Sequence, residues 1–395
     1  MKVLVLNSGS SSIKYQIFSM PEKLVICSGS VERIGLSDSI LKHQSDKLVI
    51  KKSILATNHS TALTVIVDVI LDKDHGVISD VNDIKAVGHR VVHGGSDFKD
   101  TVLINSAIKD RIKKLSVLAP LHNPANLEGI ELAETIFVNA PQIAVFDTAF
   151  HQSIPEKAYK YAIPNTFLDK HKVRLYGFHG TSHKYVSEKA IDMLNKMDSK
   201  IITIHLGNGC SMTAVRDGKS IDHSLGFTPV NGLIMGTRSG DIDHSLIFYL
   251  VNTLGYDLSQ VNTILQKESG MLGLTGYSDL REIESQANKG DVDCLLALEM
   301  NAYRIKKYIG SYIASMNGLD AIVFTAGIGE NSQLIREMVC RNMGTFGIYL
   351  NPIKNKQKSN DPREINSEKS IIKILVIPTN EELEIANQVY ALLNG

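Results

Sequence analysis

Three glycine-rich turns in this chain follow short apolar runs: Asn7–Ser12, Gly207–Gly209 and Ala326–Asn331. A turn of this kind lets backbone amides approach the oxygens of a phosphate, an approach that a Cβ would obstruct. The third stretch sits between the apolar run Ala321–Thr325 and a helical pattern, where amides and the helix dipole together favour an anion. Charged and polar side chains stand at the ends of other apolar runs. Arg90 lies in His-Arg-Val-Val-His-Gly-Gly, Asp147 in Val-Phe-Asp-Thr-Ala-Phe-His and His179 in Gly-Phe-His-Gly-Thr-Ser-His. Arg238 and Asp241 share Met-Gly-Thr-Arg-Ser-Gly-Asp, and Glu381 lies in Pro-Thr-Asn-Glu-Glu. Each has an ordinary structural reading when taken alone. Together, charged groups with small or glycine neighbours at strand ends suggest a ligand site, since open α/β sheets take their ligands there.

Several familiar machineries are absent. Gly218-Lys219-Ser220 has the close of a phosphate-binding P-loop, but Thr213 stands where its leading glycine belongs. There is no GxGxxG for a dinucleotide, and neither of the HRD and DFG signatures of protein kinases. His179 and His183 are spaced i, i+4, yet no HExxH and no third ligand accompany them, so zinc is set aside.

Helices and strands alternate along the chain, which predicts the α/β class. Val3–Leu6, a tight turn and the alternating Ile13–Phe18 predict a hairpin, with further strands near 24–33 and 47–52. A helix is expected over 60–72, a strand over Ile84–Val92, helices over 105–115 and 123–138, and a buried strand at Ile143–Phe146. Lys200-Ile-Ile-Thr-Ile-His-Leu-Gly-Asn-Gly can be laid on Lys2-Val-Leu-Val-Leu-Asn-Ser-Gly-Ser-Ser without a gap, so Gly207 matches Gly9. Ser211–Val215, turning at Asp217-Gly218, repeats the return strand, and the chain reads as two similar halves. Pro352–Ser370 is expected to be a polar surface loop, Ile371–Ile377 a buried strand, and Asn380 the cap of a last helix starting at Glu381.

The length of 395 residues exceeds what one core supports, so two domains are expected. The 42 basic residues cancel the 42 acidic ones, which gives no electrostatic reason for nucleic acid or an anionic membrane as partner. No signal-peptide core or spanning segment is visible, and Cys27, Cys210, Cys294 and Cys340 are too scattered for a disulfide framework or a zinc site. Free, mostly buried thiols and a cytoplasmic setting are the expectation.

The sequence resembles the acetate and propionate kinase family, within the actin–hexokinase-like ATPase superfamily. The resemblance runs from residue 2 to about 390. It rests on Val5–Lys14, Phe178–His183, His205–Gly209, Met235–Asp241, Phe324–Asn331 and Pro378–Glu382. It implies two duplicated domains of the actin/ribonuclease H-like type with a cleft between them. One would span 1–150, completed by a final helix at about 381–395, and the other 151–380. It implies reversible transfer of the ATP γ-phosphoryl to acetate, giving ADP and acetyl phosphate, in a homodimeric enzyme.

Carried over residue by residue, the resemblance assigns magnesium (with manganese as a substitute) to Asn7 and Glu381. It assigns nucleotide contacts to Lys14, to His205, Leu206, Gly207, Asn208 and Gly209, to Asp279, Leu280 and Arg281, and to Gly327, Ile328, Gly329, Glu330 and Asn331. Arg90 would grip the substrate carboxylate, with Val92, Leu121, Phe178 and Pro229 around its methyl group. His179 and Arg238 would stabilise the phosphoryl in flight. Asp147 matches a position treated as catalytic, and orienting Arg90 or a metal-bound water is its expected task. A carboxylate acceptor is ionised at neutral pH, so such a site needs positive groups and no general base. The rivals are a propionate or butyrate kinase on the same motifs, a non-enzymatic ATP-dependent switch and a sugar kinase. A switch has no use for Arg90 and its apolar surroundings, and a sugar kinase needs an aspartate base.

Overall fold

Lys2–Ser8 (β1) alternates so that Val3 and Val5 face one side and Leu4 and Leu6 the other, and all four are buried. A strand apolar on both faces belongs at the centre of a covered sheet. The computed structural model, which describes all residues from 1 to 395, places it there. The chain divides into two units, Met1–Phe150 with Asn380–Gly395 and His151–Thr379.

The first unit holds Ser12–Ser19 (β2), Leu24–Glu32 (β3), Ser39–Ser45 (β4), Val49–Ile54 (β5), Ile84–Val91 (β6), Val102–Leu103 (β7) and Gln142–Phe146 (β8). Their order in the sheet is β5-β4-β3-β2-β1-β6-β8-β7. β1 to β5 form an antiparallel meander, and β1, β6 and β8 run parallel. Leu4, Leu6 and Val87 pack with Leu63, Ile66 and Ile70 of the His59–Ile70 helix and Ala133 of the Asn123–Ile136 helix. On the other face, Val3, Val5, Ala86, Ile143 and Val145 pack against Ile385, Ala386 and Val389 of the Glu381–Asn394 helix. Gly88 makes that seat possible. A Cβ there would stand 2.7 Å from Val389 Cγ2 and 2.9 Å from Ile385 Cγ2.

The second unit holds Lys200–Leu206 (β9), Cys210–Arg216 (β10), Lys219–His223 (β11), Ala321–Thr325 (β12), Arg363–Glu364 (β13) and Lys373–Val376 (β14), in the order β11-β10-β9-β12-β14-β13. The segment β11-β10-β9-β12-β14 repeats β3-β2-β1-β6-β8, with an antiparallel meander of three and a parallel run of three. The α/β class and the duplication read from Lys2 and Lys200 are thus both present. A 25-residue helix, Val292–Met316, flanks this sheet, its start capped by Asp291 accepting from Cys294 N at 2.9 Å. The four cysteines are free and buried.

Three expectations need correction. β4 was not foreseen, because its buried face is formed by Ser39, Leu41 and His43, of which only Leu41 is apolar. Pro352–Ser370 is more than a loop: it contains the Pro352–Lys356 turn of helix, β13 and the fully buried Ile365, drawn in by pairing with β14. Ile371 is 82% exposed, so the buried strand starts only at Lys373.

Candidate active site

In the first unit, the period of two along parallel strands selects the site. Asn7 continues the face of Val3 and Val5, Arg90 that of Ala86 and Gly88, and Asp147 that of Ile143 and Val145. All three lie at the carboxyl ends of neighbouring strands, on the face covered by the helix that Glu381 begins. Asn380 caps that helix by accepting from Leu383 N at 2.9 Å. Arg90 Nη2 donates to Asp147 Oδ2 at 2.9 Å, and Glu381 Oε2 stands 3.7 Å from Arg90 Nε. Burial works against the charge of Arg90, but Asp147 and Glu381 outweigh it and raise the guanidinium pKa. Arg90 Nε is buried and makes no hydrogen bond, with the Glu381 carboxylate its nearby counter-charge.

The segment after β6 is fastened by residues that sequence reasoning passed over. Val92 N donates to Asn126 Oδ1 at 3.0 Å, and Asn126 Nδ2 donates to Ser8 O at 2.6 Å. Asn123 exchanges two bonds with the backbone of His93, both at 3.0 Å. The signal was available, since two buried asparagines in Asn-Pro-Ala-Asn at a helix start demand partners. Val92 is buried and Leu121 is 67% exposed. Lys14 pairs with Asn7 across the hairpin and is exposed.

The second unit carries the histidines. His179, at the start of the Gly180–Leu194 helix, adopts a left-handed backbone conformation (φ 55°), a strain typical of functional positions. Its ring stacks on His205, centroids 4.3 Å apart at 16°. A Cβ on Gly209 would lie 3.5 Å from His179 Nε2 and 3.9 Å from Arg238 Nη1, so both groups converge on one spot above that glycine. Arg238 Nη1 also donates to Pro229 O at 2.8 Å. Burial lowers the Arg238 pKa. Asp241 anchors the loop carrying Arg238, accepting from Gly232 N and from Tyr308 Oη, each at 2.7 Å. Phe178 is buried, and its amide donates to His223 Nε2 at 3.1 Å.

Beside this spot opens a cavity of about 690 Å³. Leu206, Gly207, Asn208, Asp279, Leu280, Arg281, Gly327, Ile328 and Asn331 line it. Ile234, Met235, Met271 and Ile335 add apolar wall, and Asn301 a polar group, none of them foreseen. Gly329 and Glu330 do not line it. Gly329 is buried against Phe324, and Glu330 accepts from Thr379 N at 3.1 Å, with burial raising its pKa. Ala326–Asn331 is itself a six-residue helix rather than a turn before one. Its last carbonyls are held by the fully buried Arg336, whose Nη1 donates to Gly329 O at 2.8 Å and Glu330 O at 2.9 Å.

Asn7 near the end of β1 and Glu381 at the start of the helix covering that face offer a carboxamide and a carboxylate oxygen, hard donors of the type that suits magnesium, which otherwise keeps waters and phosphate oxygens. The cluster Asp72, Asp74 and His75 is exposed and belongs to a turn away from these strand ends. No helix is long and apolar enough to cross a membrane.

Comparison with known proteins follows the same lines. The acetokinase family matches residues 2–387. An acetate kinase of Flavobacterium johnsoniae is 62% identical over 395 residues, covering all of both chains. A crystal structure of Porphyromonas gingivalis acetate kinase, 43% identical, superposes over the whole of both chains with a TM-score of 0.95. A propionate kinase from Francisella tularensis, also 43% identical, covers 98% of both with a TM-score of 0.92. The chain belongs to the acetokinase family.

Proposed function

We propose that this chain is an acetate kinase, a phosphotransferase with a carboxyl acceptor that moves the γ-phosphoryl of ATP to acetate and back from acetyl phosphate. The convergence of His179 Nε2 and Arg238 Nη1 above Gly209, beside a cavity suited to a nucleotide, carries the reading. The 62% relative named acetate kinase supports acetate over propionate as the acceptor.

The chemistry needs no base, because acetate is ionised at neutral pH. What it needs is charge compensation between two anions and an in-line approach. Arg90 holds the carboxylate, with Asp147 fixing the guanidinium. Val92 in the first unit and Phe178 in the second are buried apolar side chains suited to contact with a methyl group. The aligned backbone of Gly207–Gly209, His179 and Arg238 bind the phosphoryl oxygens as charge shifts. Asn7 and Glu381 would hold magnesium, which would supply neutralisation of phosphate charge. The apolar wall of Ile234, Met271 and Ile335 takes the base.

The Ser245–Asn252 helix buries none of its residues, with Phe248 62% and Tyr249 52% exposed, and this apolar face suits a second copy of the chain in a homodimer. Charged replacements at both residues should shift the sedimentation coefficient to that of a monomer. The cytoplasm is the matching compartment for the free thiols.

Trapping the product with hydroxylamine tests the reaction class, because only an acyl phosphate yields a hydroxamate. Initial rates with acetate, propionate and butyrate test the acceptor. Absence of hydroxamate would overturn the reading, and a kcat/KM higher for propionate would replace acetate.

A further inference from the structure

Behind His179 runs a chain of buried hydrogen bonds that does not touch the cavity. His179 Nδ1 lies 2.8 Å from Ser211 Oγ, Ser211 Oγ lies 2.7 Å from His183 Nε2, and His183 Nδ1 lies 2.7 Å from Thr203 Oγ1. Ser211, His183 and Thr203 are fully buried. Burial, with neighbouring imidazoles, pushes the His183 pKa far below its ordinary value, so the ring carries a single proton.

The direction of the chain then follows from counting hydrogens. Thr203 Oγ1 has His183 as its one side-chain partner. If the Thr203 hydroxyl donates to His183 Nδ1, the His183 proton sits on Nε2 and is given to Ser211. The Ser211 hydroxyl is then free to donate to His179 Nδ1, and every buried hydrogen is used. In the reverse direction His183 donates to Thr203, and the Thr203 hydroxyl hydrogen has no acceptor in a place closed to water. Buried polar hydrogens are rarely left so. The neighbouring rings are ordered in the same manner. The amide of Phe178 can only donate, so His223 Nε2 accepts, and the carbonyl of Phe178 can only accept, so His151 Nε2 donates at 3.0 Å.

We propose that Ser211, directed by His183 and Thr203, is a positioning residue that sets the tautomer of His179, holding the neutral ring with its proton on Nε2. That proton faces the spot above Gly209 shared with Arg238. A donor held this way is oriented before the reaction begins and needs no titration to act, which is what stabilising a passing phosphoryl requires. The functional part of the inference rests on the reading of His179 as a phosphoryl contact; the tautomer does not.

The test is long-range nitrogen–proton NMR correlation on the full-length protein labelled with 15N-histidine at neutral pH, the His179 signals being assigned by their loss in His179→Gln. Protonated Nε2 and bare Nδ1 are expected. A proton on Nδ1, alone or with one on Nε2, overturns the proposal without any dependence on activity. Ser211→Ala should give a mixture of tautomers and a kcat lower by about ten- to a hundredfold, the range found for outer partners of metal-bound histidines, with the KM for ATP little changed. Ser211→Thr, which keeps the hydroxyl, should recover both signals. If Ser211→Ala keeps the wild-type tautomer and rate, Ser211 does not set the ring. If the tautomer behaves as stated but His179→Ala keeps its kcat, the phosphoryl reading of His179 fails and the tautomer assignment stands.

Discussion

Arg90 and Asp147 are joined at 2.9 Å across neighbouring strands, and the pair leaves Arg90 Nε without a hydrogen bond. Asp147 is buried and already engaged by a cation, which suits a residue that holds Arg90 rather than one that accepts a proton from substrate.

Arg90→Ala should raise the acetate KM by about ten- to a hundredfold, the worth of one or two hydrogen bonds to a charged group, with a smaller change in kcat. Asp147→Asn keeps an acceptor for Nη2 but loses the charge, so its KM effect should be weaker. Steady-state rates across acetate concentrations check both. A basic-limb ionisation in the single-turnover pH profile that disappears in Asp147→Asn would make Asp147 a proton acceptor instead.

Arg238 donates to Pro229 O, so its guanidinium is held before any phosphoryl arrives. Arg238→Ala should lower kcat by about a thousandfold or more, the range seen when a charge-stabilising arginine is removed, and leave the acetate KM nearly unchanged. Arg238→Lys should recover little, because an ammonium cannot reproduce the planar fork. A KM defect with a normal kcat would remove Arg238 from the transition state.

Glu381 combines a carboxylate near Arg90 with a position at the start of the last helix, which covers the sheet face that Asn7 continues. Glu381→Ala should raise the magnesium concentration needed for half-maximal rate by about tenfold while melting as the wild type does. An unchanged magnesium titration would shift the assignment to Glu382.

Much of this site could be read from residue order because strand ends in an α/β sheet collect it: Asn7, Arg90 and Asp147 each close an apolar run. The halves matched at Lys2 and Lys200 because both sheets reuse one topology, and that topology is written in local hairpins. What escaped was non-local. Asn126 earns its role by bonding Ser8 and Val92, and Arg336 by bonding carbonyls of another helix, neither of which any periodicity signals. Met271 and Ile335 read as plain core residues until the cavity gives them a wall to form. Ser211 sat in a predicted strand, and only its neighbours His179 and His183 give its hydroxyl a task.

The buried imidazoles set how the fold responds to acid. Burial lowers His89 and His93 in the first unit to about 4, and it pushes His183 and His223 in the second well below the ordinary value. A base whose folded pKa is depressed is neutral in the native state, while the unfolded chain binds a proton below about pH 6.5. Stability carried by these rings is therefore complete above about 6.5 and is lost as pH falls, by about 1.4 kcal/mol per group and pH unit, until the folded pKa is reached. In the first unit the loss should run from about 6.5 down to about 4 for two groups at once. In the second, Asp222 works in the opposite direction: burial raises it to about 6, so acid relieves its cost and offsets one imidazole. Melting followed from pH 7.5 to 5 should show a steep drop below 6.5, with the first unit more sensitive. His89→Gln should melt lower at pH 7.5 but lose less on acidification, because one proton fewer is taken up on unfolding. A melting temperature flat between pH 7 and 5 would mean that these rings are protonated in the folded protein.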